Sequence, residues 1–259
     1  MRPQHPYIGL TGFTASKQIK AALDAFGPNN PTRLLMLGFL QTHKSLQGIP
    51  LNHPWDKRTP TLDNLSDLLP CDSRCLTMVH YARGNASDDE VLEDLKLIAQ
   101  EAGLCLDGFQ LNMVWPDPAL LKFCRDRREV FPRSPRFVIQ ITQKALAQAG
   151  GTYAGVMKRL EAYEGLAHYA LFDMSGGLGK PLDPAQALEF LRAHRDSGLT
   201  LNPIVAGGIG PSTLNLLRPI LAEFPHTSTD MEGACMVEDG ALSIPLLTAA
   251  IRGIVSMTK

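Results

Sequence analysis

The chain is predicted to fold as a single (β/α)8 barrel, an α/β TIM barrel, spanning residues 1–259. Three observations lead there: eight short runs of apolar and β-branched residues, an amphipathic helical pattern after most of them, and a length that such barrels commonly use. Near-continuous apolar strands alternating with amphipathic helices imply a parallel sheet covered by helices. Eight such units imply closure.

The runs are, in order, YIGLTG from Tyr7, RLLMLGFL from Arg33, CLTMVHYA from Cys75, LDGFQLNMV from Leu106, RFVIQIT from Arg136, HYALFDM from His168, LNPIVAGG from Leu201 and EFPHTSTD from Glu223. Two of the helices carry clear end signals. SDDEVLEDLKLIAQEAG offers Ser87 as N-cap, Glu90 three residues later to close a capping box, and Gly103 as a stop. DPAQALEFLRAHRDSG offers Asp183 as N-cap, Pro184 in the first turn and Gly198 just past the end. The apolar stretch Ala241 to Met257 contains Pro245 and Arg252, and reads as a final amphipathic helix. Residues 41–70, after the second strand, form the longest connection, and long loops in compact domains tend to be lids or binding loops.

The whole chain bounds the function classes. With 44% hydrophobic and 20% charged residues and a formal net charge of -1, it has no basic field for nucleic acid or an anionic membrane. No apolar run approaches the roughly 18 residues that span a bilayer, and the N-terminus lacks the layout of a signal peptide. Five cysteines (Cys71, Cys75, Cys105, Cys124, Cys235) without paired spacing, in a chain of this size, suggest free thiols and a cytoplasmic location. The expected partner is a small molecule, bound by a monomer or a homodimer.

A barrel keeps its chemistry at the C-terminal ends of its strands. SGGLGK and AGGIGPS follow the sixth and seventh strands, placing Gly176, Gly177, Gly179, Lys180, Gly207 and Gly208 there. Such glycines either let backbone N–H groups cradle a phosphate or provide the positive φ that a tight turn needs. Asp173 ends the sixth strand, where a carboxylate can act as general acid or base or can cap Ser175. His43, His53, His80 and His226 have no spacing that puts two on one face, so no metal is expected and no cofactor is implied. Lys44, Lys57 and Arg58 either gather an anionic ligand or stay solvated. Gln110 and Asn112 alternate along the fourth strand and share a face, suited to orienting a ligand or to filling a polar core layer.

Taken in order, these motifs resemble those of the phosphoribosylanthranilate isomerase family. LTGFT from Leu10 is similar to the family's first-strand motif, with Thr11 where cysteine is expected. Lys44, Ser45, Leu46 and Gln47 stand in place of K-S-P-R, and Phe109 to Asn112 in place of V-Q-L-H. Asp173 and Gly176 to Lys180, with Asp183, follow the acidic residue and G-G-T-G-K-x-F-D. Ala206 to Ile209 follow A-G-G-L, and Ser228, Thr229, Asp230, Met231 and Glu232 stand loosely for S-S-G-V-E.

The resemblance implies an Amadori-type isomerisation of an aminated ribose phosphate in the tryptophan pathway, with the strand-six aspartate as acid and the strand-one residue as base. It implies catalytic positions at Asp173 and Thr11, and substrate contacts at Lys44, Gln47, Gln110, Asn112, the two glycine loops, Ser228 and Thr229; His80, placed at the mouth by its strand, is a further candidate contact or a substitute base. Thr11 departs from it, since a neutral hydroxyl is a very poor base near pH 7. Gln47 departs too, for lack of the charged fork that holds a carboxylate. Asp230 adds a carboxylate where a glycine is expected, and with Asp173 it could form a pair dividing acid and base roles. The expectation is therefore an isomerase or lyase on a sugar or sugar phosphate with an altered base. The alternative is a metabolite- or protein-binding barrel whose mouth is filled by Leu46, Trp55 and Leu178.

Overall fold

A computed structural model describes residues 5–28, 30–84, 86–131, 133–175 and 180–258. Its elements run β1 (Tyr7–Thr11), α1 (Ser16–Phe26), β2 (Leu34–Thr42), α2 (His43–Leu46), α3 (Leu65–Leu68), β3 (Cys75–Ala82), α4 (Asp88–Ala102), β4 (Gly108–Leu111) and α5 (Pro118–Asp126). They continue with β5 (Arg136–Ile141), α6 (Gln143–Gln148), α7 (Tyr153–Leu160), β6 (Tyr169–Phe172), α8 (Pro184–Ser197), β7 (Asn202–Ala206), α9 (Arg218–Glu223), β8 (Ser228–Met231) and α10 (Ile244–Met257). The strands pair in parallel in chain order and close, β8 against β1. No helix among the described residues is long and apolar enough to cross a membrane.

Strand parity divides the core into two shells. Tyr7, Met36, Leu76, Met78, Val138, Tyr169, Leu171 and Ile204 point inward and fill the lower barrel, with the Tyr7 and Tyr169 rings edge to face at 5.1 Å. Alternate residues such as Ile8, Phe39, Phe109, Phe137 and Phe172 pack outward against the helices. Above the apolar plug the inward positions turn polar, which leaves the site at the C-terminal end. Gly38, paired with Thr11 in the register, is needed there: a Cβ would stand 2.2 Å from Thr11 Oγ1 and 3.0 Å from its Cα.

The helix caps follow the signals. Ser87 Oγ accepts from the Glu90 backbone N–H, and Glu90 returns a bond to the Ser87 N–H at 2.8 Å. Asp183 accepts from the N–H groups of Ala185 and Gln186, and Gly198 adopts φ 71° past the end of α8.

Three expectations are corrected. The eighth strand starts at Ser228 and not at Glu223, because α9 runs through Glu223 and a turn follows, closed by Thr227 N–H on the Phe224 carbonyl. The last helix starts at Ile244 and not at Ala241, with Ser243 as its cap and Pro245 in the first turn; Leu242 instead bridges back to Met236. Cys71 and Cys105 are not free thiols but a disulfide, their Cα atoms 5.1 Å apart. Thr77 of β3 donates to the Cys105 carbonyl, drawing the chain after α4 against the approach to β3. Cys75, Cys124 and Cys235 are buried and free.

Candidate active site

The upper barrel encloses a cavity of about 420 Å³. Its inner wall is built by strand-end residues from six strands: Thr11, His80, Gln110, Gln140, Asp173 and Asp230. The loop after β7 adds Gly207 and Gly208, whose φ values of 119° and 50° need glycine. Beyond β8, Glu232, Gly233 and Ala234 complete one side, and Trp55 and Arg58 reach in from the long loop after β2.

What marks this cavity is unmet hydrogen bonding. Thr11 Oγ1, Arg58 Nε, both ring nitrogens of His80, Gln110 Oε1, Gln140 Oε1 and Asp230 Oδ1 are buried and have no partner among the described residues. Such groups are normally satisfied, because each one left bare costs roughly 1–3 kcal/mol. Six residues doing so around one space is the pattern of a binding site that a ligand completes.

The electrostatics are acidic and unevenly compensated. Burial, then Glu232, then Asp173 push the Asp230 carboxyl well above the usual carboxylate range, which favours its protonated form. Asp173 is engaged as an acceptor: Ser175 N–H and Oγ–H donate to Oδ1 at 3.0 and 2.6 Å, and Gln140 Nε2 donates to Oδ2 at 3.2 Å. Burial pulls His80 below the ordinary imidazole value despite Glu232 and Asp173, leaving it neutral, with one ring nitrogen a donor and the other an acceptor. Arg58 lies over the Trp55 ring at 4.8 Å and donates to Glu232 at 2.9 Å.

Several residues named from the sequence stand elsewhere. Lys44 and Gln47 are exposed on α2 and just after it, and Gln47 bonds His43. Asn112 follows the end of β4 and faces solvent. Ser228 and Thr229 lie wholly buried in β8 below the mouth, where Ser228 Oγ accepts from Tyr7 N–H; the register instead sets Asp230 opposite Gly9 and Ala206. Lys180 is exposed beside an adjoining groove of about 160 Å³. Gly176, Gly177, Leu178 and Gly179 lie outside the described residues. Leu46 is not at the cavity, whereas Trp55 is. The four histidines do not meet: His43 pairs with Asp94 at 2.9 Å, His53 lies 3.7 Å from Asp56, and His226 is exposed. No group of three His, Cys, Asp or Glu among the described residues is arranged to hold a metal.

Gln140 belongs to the cavity although the sequence did not single it out, and of the cluster Lys44, Lys57 and Arg58 it is Arg58 that lines the cavity. A signal for Gln140 exists in VIQI, where it shares the inward parity of Val138. For Arg58 the signal was the cationic cluster in the long loop, but which of its cations reaches the cavity depends on the path of that loop.

No family model matches the sequence, and no curated protein does. Solved structures do match. The phosphoribosylanthranilate isomerase of Thermus thermophilus is 17% identical, covers 97% of each chain and gives a TM-score of 0.58. TrpF of Jonesia denitrificans is 19% identical over 98% of this chain and 96% of its own, at 0.59. The chain has their fold. A third isomerase, solved in complex with reduced 1-(o-carboxyphenylamino)-1-deoxyribulose 5-phosphate, is 12% identical, covers 98% of both chains and gives 0.59.

Proposed function

We propose that this protein is an isomerase of the phosphoribosylanthranilate isomerase type, acting on a sugar or sugar phosphate by acid–base catalysis without a metal. The observation that carries the reading is the ring of unpartnered polar groups around Asp173 and Asp230. Asp230, whose protonated form is favoured by burial, donates to a ring or carbonyl oxygen of the substrate. Asp173 accepts the proton released from the neighbouring carbon, giving an enol-type intermediate. Asp173 then returns that proton to the adjacent carbon while the enol hydroxyl gives its proton to Asp230, which completes the shift and restores both carboxyls. Thr11 and neutral His80 hold hydroxyls, and Arg58 donates through Nε to an oxygen at the outer end. This division reverses the roles that the family resemblance implies for the strand-six aspartate.

The test is turnover of phosphoribosylanthranilate to the carboxyphenylamino-deoxyribulose phosphate, followed by fluorescence. Asp173→Asn and Asp230→Asn are each expected to lower kcat by roughly 10²-fold or more. Absence of turnover by the wild type, or unchanged rates in both variants, overturns the proposal. A second reading, a binding barrel without catalysis, is favoured by one observation: the Asp173 carboxylate already caps the turn at Ser175.

A further inference from the structure

Gln140 ends the inward face of β5, 6% exposed, in the cavity wall. Its Nε2 donates to Asp173 Oδ2. That bond decides which end of the amide is left for a ligand, because turning it over would set Oε1 against a carboxylate oxygen with no proton between them. Oε1 is therefore held as a buried acceptor with no donor among the described residues. Gln110 Oε1 and one nitrogen of neutral His80 make the same demand nearby. A hydroxyl or N–H of the ligand can meet it, whereas a phosphate, carboxylate or ketone oxygen would bring lone pair against lone pair.

We propose that Gln140 is a specificity-determining residue: locked by Asp173 as an acceptor, it requires a hydroxyl at one ligand position, and the cavity selects a polyhydroxylated sugar. The inference rests on reading the same cavity as a sugar site, but it concerns binding and needs no turnover. It distinguishes ligands by one hydrogen, which shape and charge do not.

The experiment measures calorimetric affinities of D-ribose 5-phosphate and its 2-deoxy and 3-deoxy counterparts for the wild type and for Gln140→Met, which keeps length and shape but has no carbonyl. At least one deoxy sugar is expected to bind the wild type about tenfold or more weakly, the effect of leaving a buried acceptor bare. In Gln140→Met that ratio is expected to fall close to one. Should the variant not fold, the wild-type ratios alone decide: equal affinities for all three sugars overturn the proposal. So does a ratio unchanged by the substitution, or failure of ribose 5-phosphate to bind the wild type. Selective binding without any isomerisation would sink the catalytic reading and leave this one standing, and turnover with unselective binding would do the reverse.

Discussion

Arg58 and Glu232, 174 residues apart, meet through a 2.9 Å ion pair at the rim of the cavity. The guanidinium is carried by the connection between β2 and β3 and the carboxylate by the residue after β8, so the pair ties the long loop across the seam where the barrel closes. Both side chains are largely withdrawn from water, at 11% and 27% exposure. Arg58→Ala leaves Glu232 uncompensated near Asp230, and a double-mutant cycle with Glu232→Gln is expected to give a coupling of roughly 0.5–3 kcal/mol by urea denaturation. A coupling indistinguishable from zero would show that the contact does not hold the loop.

Asp230 sets one limb of the pH dependence of stability. Its folded-state pKa is raised, so the folded protein keeps a proton that the unfolded chain has released above about pH 4. Stability from this group is full below the unfolded value and is lost as pH rises through the folded value. As pH rises above about 4, the wild type is expected to lose stability relative to Asp230→Asn. Parallel urea midpoints for the two proteins would mean that Asp230 is ionised in the fold.

His168 sets the opposite limb. Burial, with Arg136 and Arg125, pulls it down to about 4, while its Nδ1 accepts from Phe137 N–H at 3.4 Å. The unfolded chain binds the extra proton between that value and about 6.5, so stability rises with pH across this window, by up to about 3 kcal/mol. His168→Asn keeps an acceptor and is expected to flatten the acid limb in denaturation curves from pH 4 to 7. An acid limb as steep as the wild type's would contradict the assignment.

Gly38→Ala drives a methyl into Thr11, including its Cα. An overpacked contact of this kind costs about 1–3 kcal/mol. The expected result is a lowered urea midpoint, and a midpoint equal to the wild type's would refute the close approach.

The Cys71–Cys105 bond spans 34 residues. Closing a loop of that length is worth about 2–4 kcal/mol. Cys71→Ser, or reduction of the wild type, is expected to lower the melting temperature, and reductant should have no further effect on the variant. A wild type indifferent to reductant would argue that the bond adds nothing to stability.

The fold was legible where strands read as apolar runs, and CLTMVHYA coincides with β3 residue for residue. β8 was poorly legible because STDM is polar, and its place comes from pairing with β1 and β7 and not from propensity. Within the site, residues at strand ends could be read from period two, and Thr11, His80, Gln110, Asp173 and Asp230 do share one cavity. Asn112 fell outside because β4 stops one residue earlier. Ser228 fell outside because register, invisible to a motif, decides which residue of β8 stands level with the mouth, and Thr229 because it shares the outward parity of its neighbours Ile8 and Val205. Lys44 and Gln47 were placed by a local likeness, whereas Arg58, from further along the loop, is the side chain that arrives.

The polar ring also offers a route to its ligand. A molecule that binds the ring in the folded protein and not in the unfolded chain must raise the melting temperature by mass action. Replacing Gln110 and Thr11 by apolar residues should toughen the fold while abolishing recognition, a trade-off between endurance and activity. Heat resistance of the native chain thus becomes a gauge of occupancy, and a screen of metabolites by melting point could identify the natural ligand before any reaction is known.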